Sequence, residues 1–238
     1  MMVSNRPTIS ITSWDGTLSS HDFYLAARAF ADKWKKFNPA LPQWSWVPRP
    51  KPPWTAAYEV DGYLSLENVF LPMSYEEDHD EVSLTGEEEP SCSNRDEPID
   101  NATLVQNYGC ELHHYNFHIV YSSSYRVPVL YFRAHCSDGQ PLVLDDIEKD
   151  LPASSGKVLM ESKWTFITQE EHPYLNRPWY TLHPCGTSEW IKLLFTTEAS
   201  LAKGGVAVEQ YLVSWFSVVG QVIGIRIPFE MLSNYSPL

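Results

Sequence analysis

LHHYNFHIVYSSSYRVPVLYFRAHC, residues 112–136, alternates apolar and polar side chains with a period of two on both sides of a short serine-rich link. Tyr115, Phe117, Ile119 and Tyr121 share one face of the first run, and His114, Asn116 and His118 share the other. In the second run Leu130, Phe132, Ala134 and Cys136 lie on one side. Such alternation belongs to half-buried strands, and two of them joined by a link too short for a crossover pair antiparallel. The polar face with His114, Asn116 and His118, on a strand pair taken to lie at a sheet edge, is the expected surface for partner binding.

Upstream, TLSSHDFYLAARAFADKWKKF (17–37) spaces Phe23, Ala26, Phe30, Trp34 and Phe37 along one helical stripe. Ser19 and Asp22 supply a start signal, Lys33, Lys35 and Lys36 suit the end, and Asn38-Pro39 stops the helix. Six prolines then fall in about fifteen residues among Trp44, Trp46 and Trp54, a composition that predicts an irregular strap lying against the domain. AYEVDGYLSLENVFL (57–71) reads as a turn at Asp61-Gly62 between strand-forming residues.

Downstream, Asp138-Gly139 predicts a turn and PLVLDDIEKDL a short helix, followed by a strand in SKWTFITQ (162–169). HPYLNRPWYTLHPC is proline-rich and reads as an irregular loop carrying Cys185. TSEWIKLLF follows as a helix with Trp190, Leu193 and Leu194 on one side. VAVEQYLVSWFSVVG is a second helix, with Val208, Tyr211, Leu212, Trp215 and Val219 in register and Gly220 as its stop. A helix, antiparallel strands, a cysteine loop and C-terminal helices define an α+β chain with its helices grouped outside one sheet.

The 238 residues suit one domain over 1–238, with a flexible acidic insertion at about 74–102. Residues 76–100 hold eleven of the thirty acids against the single base Arg95, so most of the formal net charge of −13 sits there. A negative chain argues against nucleic acid and anionic membranes as ligands. No apolar run is long enough to span a bilayer or serve as a secretory signal, and the expected setting is cytoplasmic. The four cysteines are then expected as free thiols.

Cys110 and Cys136 fall in strand patterns and Cys92 in the acidic segment, whereas Cys185 stands between a proline-fixed loop and a helix start. A helix N-terminus stabilises a thiolate, and Thr187, Ser188 and Glu189 are candidate capping residues. His183, two residues away, suits a hydrogen bond to the sulfur, support of an oxyanion, or bracing of the loop. Cys110, His113, His118, His183 and Cys185 are too scattered for zinc, and no local protease signature surrounds the thiol. An acyl carrier, which needs one exposed thiolate that forms a thioester and passes it to an amine, fits best.

YSSSYRVPVLYFRAHCSDGQPL and FITQEEHPYLNRPWYTLHPCGTSEW, with the opening helix and WSWVP, resemble the autophagy members of the ubiquitin-conjugating, E2-like enzymes. The His-Pro-Cys triplet and the upstream Gln-x-x-His-Pro carry that likeness. The resemblance implies an E2-like fold and Cys185 as thioester nucleophile, with no metal or cofactor. It also implies a modifier of the autophagy-related protein twelve type, an E1-like activator of the seven type, and a substrate lysine of the five type. Where ordinary members carry His-Pro-Asn, this chain reads His172-Pro173-Tyr174, so His183, Tyr131 or Asn176 would replace the asparagine. A lipid-conjugating sister enzyme of the autophagy-related protein three type and a catalytically inert adaptor with the same fold are the alternatives.

Overall fold

The computed structural model describes residues 8–9, 14–49, 61–71, 113–152, 167–196 and 206–232. In chain order the elements are β1 (Thr8–Ile9), α1 (Ser20–Phe37), β2 (Ser45–Pro48), β3 (Gly62–Phe70), β4 (His114–Ser122) and β5 (Val127–His135). They continue with α2 (Leu144–Asp150), β6 (Ile167–Glu171), β7 (Pro178–Leu182), α3 (Thr187–Phe195), β8 (Val206–Ala207), α4 (Val208–Val222) and α5 (Phe229–Leu232). Six strands form one antiparallel sheet in the order β2-β3-β4-β5-β7-β6, and β1 pairs with β8 apart from it. The α+β fold expected from the alternation is the fold observed. All these elements belong to one compact unit, and the acidic stretch lies outside the described residues.

The expected pairing of β4 with β5 is present in register from His114↔His135 to Ser122↔Val127. Tyr115, Phe117, Ile119, Leu130, Phe132 and Ala134 point into the main core, which α1 and α4 cover from one side. α1 is capped by Ser19, whose side chain accepts the Asp22 N–H, and it buries Phe23, Ala26, Phe30 and Trp34. Phe216 of α4 sits 5.2 Å from the Phe30 ring and 5.6 Å from Trp44, an aromatic seam whose tilted and edge-on rings suit their quadrupoles. Among the described residues no helix is long and apolar enough to cross a membrane.

Several sequence expectations are corrected. Both β4 and β5 are interior strands, because β3 pairs on one side and β7 on the other; the sheet edges are β2 and β6. The proline-rich strap does lie against α1, with Trp34 Nε1 donating to the Pro42 carbonyl at 2.9 Å, yet Ser45–Pro48 inside it forms an edge strand. Edge strands tolerate proline where an N–H is not needed. Likewise Pro178–Leu182 is a strand, with proline confined to its first residue, and only the residues after Leu182 form the cysteine loop.

Two helix details also differ. α3 buries Thr187, Ile191 and Phe195, and Leu193 and Leu194 are exposed. α4 runs past Gly220 to Val222 and ends in a Schellman turn: Ile225 N–H donates to the Gly220 carbonyl at 2.8 Å and Gly224 N–H to Gln221, with Gly224 at φ +77°. Gly220 is small for packing, since a Cβ there would stand 2.5 Å from the Ile225 carbonyl oxygen. Trp54, Cys92, Cys110 and the expected strand residues before Ile167 lie outside the described residues.

Candidate active site

Cys185 occupies the loop between β7 and α3, half-buried and with its thiol free. The chain leaves β7 at Leu182 and turns at His183-Pro184, where the Pro184 carbonyl accepts the Thr187 N–H at 3.0 Å. Gly186 then takes φ +81° as the N-cap of α3, a conformation that glycine adopts without Cβ strain. No side chain caps this helix start, and Ser188 Oγ donates instead to the Glu189 carboxylate at 3.0 Å. The expected Thr-Ser-Glu cap is therefore absent, and Cys185 is the residue just before the N-cap of α3.

His183 braces the loop: its Nδ1 accepts the Cys185 N–H at 3.2 Å, so the neutral ring carries its proton on Nε2. The Tyr125 ring, from the β4–β5 link, stands edge-on to His183 at 5.8 Å. Of the alternatives for His183, the geometry supplies the anchoring of the loop through Nδ1. Tyr131 belongs to a different cluster. It is buried on β5 opposite Thr181, its ring 5.1 Å from His172, and burial pushes its hydroxyl pKa up.

α3 is held from behind by the chain entering α1. Gly16, at φ +86°, packs so closely that a Cβ would stand 1.9 Å from the Ser188 carbonyl oxygen. The Gly16 carbonyl accepts the Tyr211 hydroxyl of α4 at 2.8 Å, and the rings of Trp14, Phe195 and Tyr211 pack against one another. Gly16 thus fixes the start of α3, and through it the Cys185 loop. No motif in the sequence marked this contact.

The second face of the sheet carries a chain of hydrogen bonds that runs from the buried His172 and His118 out to the half-exposed Glu67 carboxylate. Tyr174 N–H donates to His172 Nδ1 at 3.2 Å, so His172 bears its proton on Nε2 and donates to His118 Nδ1 at 2.9 Å. His118 then carries its proton on Nε2 and donates to Glu67 Oε1 at 3.0 Å, which also accepts Ser65 Oγ at 2.6 Å. Burial, then the neighbouring His118, holds His172 down to about pKa 3, and burial lowers His118 as well; the hydrogen bond to His118 holds Glu67 below the usual carboxylate range. The His-Pro pair of the upstream motif is thus a structural anchor for the β6–β7 hairpin.

The partner surface expected at His114, Asn116 and His118 is corrected by the same geometry. His118 is 1% exposed, stacked on Trp179 at 4.2 Å. Asn116 is buried too, its Oδ1 accepting the Asn68 N–H at 2.9 Å where β3 bulges between Leu66 and Val69. Asn68 takes φ +55° there, so Asn116 satisfies a backbone donor that the ladder cannot reach. His114 is partly exposed and stacks on His135 at 5.4 Å. Among the described residues no group of three or more His, Cys, Asp or Glu is arranged to hold a metal.

With this site in place, the chain's relatives can be read. The family model for the autophagocytosis-associated protein active-site domain matches residues 22–230, and the chain belongs to that family of E2-like conjugating enzymes. Over 221 residues, 92% of this chain and 96% of the relative, it is 53% identical to the ubiquitin-like-conjugating enzyme ATG10 of Arabidopsis thaliana. It is 37% identical to the Homo sapiens enzyme of the same name over 56% of this chain and 59% of that one. A crystal structure titled autophagic E2, Atg10 is similar over 87% of this chain and 98% of its own, at 18% identity and a TM-score of 0.45.

Proposed function

We propose that Cys185 carries a ubiquitin-like modifier of the autophagy-related protein twelve type as a thioester and passes it to a lysine of a protein of the five type. The Cys185 thiolate attacks the thioester carbonyl held on an E1-like activator of the seven type. A new carbon–sulfur bond forms and the activator's cysteine leaves as thiolate. In the second step the substrate amine attacks the same carbonyl, loses a proton, and expels Cys185 as thiolate with formation of an isopeptide bond. Neither step needs ATP or a metal on this chain.

The observation that carries this reading is a free thiol placed immediately before an uncapped helix N-terminus, in a loop pinned by His183, in a chain 53% identical to a conjugating enzyme. Residues 1–238 are taken in this reading as one conjugating domain, whose described elements belong to one compact unit. Single-turnover discharge tests the second step: Cys185 charged with modifier, then mixed with the substrate protein, loses its thioester as an isopeptide adduct appears. Loss of the thioester to water alone, at the same rate with and without substrate, contradicts the transfer.

A further inference from the structure

At the end of the sheet away from the Cys185 loop, β3 outlasts its neighbour. Pairing with β2 stops at Ser45↔Ser65, whereas β3 continues to Phe70 against β4, so beyond Ser65 its other edge has no strand among the described residues. A cavity of about 160 Å³ opens beside that edge. Trp34 of α1, Leu66 of β3 and Ile225 form its buried wall, and Leu41 and Phe70, 48% and 53% exposed, stand at its mouth. Two large apolar side chains held in water at the mouth of an apolar cavity mark a surface that is covered in use. Among the described residues Arg226 is the one charged side chain lining the cavity, and it is exposed and makes no ion pair. Glu67, on the same stretch of β3, is turned to the opposite sheet face, where His118 and Ser65 hold it.

We propose that this groove receives an extended segment of a protein partner, which adds beside β3 where β2 ends, places one large apolar side chain in the cavity and sets a carboxylate next to it against Arg226. Three features converge on that occupant. An open strand edge offers main-chain hydrogen bonds to an extended chain, and none to a helix, whose own are already spent. The cavity, walled by apolar side chains, takes one large apolar anchor. The free guanidinium of Arg226 favours a carboxylate beside that anchor, because its planar fork of donors matches one. β3 ends at Phe70↔His114 and β5 at His114↔His135, whereas the Cys185 loop leaves β7 beyond Tyr131↔Thr181 and meets the β4–β5 link through Tyr125. An occupant of the groove is therefore clear of the thiol, and a partner stays bound while Cys185 is charged. Nothing in this docking rests on the chemistry assigned to Cys185.

The test uses the full chain and a short fluorescein-labelled peptide of threonine and valine with a central phenylalanine followed by glutamate. Control peptides change one feature each: alanine for the phenylalanine, lysine for the glutamate, or methyl groups on alternate backbone nitrogens. Binding is followed by anisotropy and by the backbone amide resonances of Phe70 and Arg226. The first peptide should bind and shift both resonances, and the alanine peptide should bind at least about tenfold more weakly. Leu41→Ser and Phe70→Ser, both at exposed positions, should weaken binding while the melting curves remain cooperative. Arg226→Glu should lower affinity for the glutamate peptide about fivefold and make the lysine peptide the better ligand. No binding at millimolar peptide, equal binding of the methylated peptide, or a charge preference that Arg226→Glu leaves unchanged overturns the proposal. So does a concentration-dependent dimer in sedimentation that Phe70→Ser abolishes, since the groove would then be the contact between two copies of the chain.

Discussion

Cys185, the thiol proposed as nucleophile, stands out in the sequence because a His-Pro-Cys triplet before a helix start is a local pattern, and the His183 brace and the Gly186 turn follow from its neighbours, whereas the Gly16 contact behind α3 does not. The histidine chain was not legible, since Glu67, His118 and His172 lie on three strands far apart in sequence and meet only through the sheet. Replacing His183 by Ala removes the acceptor of the Cys185 N–H. At about 1 kcal/mol for such a bond, charging of Cys185 should slow about fivefold with little change in melting temperature, measured by pre-steady-state charging on non-reducing gels. The buried His172 predicts acid sensitivity. Its folded pKa of about 3 lies below the ~6.5 of an unfolded histidine, so stability is full above that value and is lost as pH falls toward the folded one. By pH 5 the loss from His172 amounts to about 2 kcal/mol, and urea unfolding at pH 7.5 and 5 should show it, with a shallower pH dependence in His172→Gln.

Secondary-structure elements carried the plainest signals and also the clearest errors. The amphipathic helix α1 and the β4–β5 pair follow from period alone, because one face of each is buried over many residues. β7 was hidden because Pro173, Pro178 and Pro184 surround it, yet Pro178 stands at the first strand position and interrupts no ladder bond. β4 looked like a partner-binding strand because polar residues alternate along it. Those residues are instead spent on a bulge, through Asn116, and on the histidine chain, through His118. Asn116→Ala should therefore cost about 1–3 kcal/mol in urea unfolding by orphaning the Asn68 N–H. Gly16→Ala forces Ser188 and the start of α3 to move. A stability loss of about 2 kcal/mol or more is expected, with charging of Cys185 impaired beyond what the melting curve explains at a temperature where the variant is folded.

At the scale of the whole molecule, one sheet presents a core face to α1 and α4 and a second face of aromatic, histidine and arginine side chains, and the cysteine loop leaves the sheet at the end of β7. The central claim, that Cys185 is a thioester carrier, is tested most directly by one reaction. The protein is incubated with an E1-like activator, the ubiquitin-like modifier and ATP, beside Cys185→Ala and Cys185→Ser, and run on non-reducing and reducing gels. The account predicts a reductant-sensitive adduct in the parent, none in Cys185→Ala, and a reductant-resistant oxyester in Cys185→Ser. An adduct that persists in Cys185→Ala, or no adduct in the parent when activator and modifier are competent together, would contradict it.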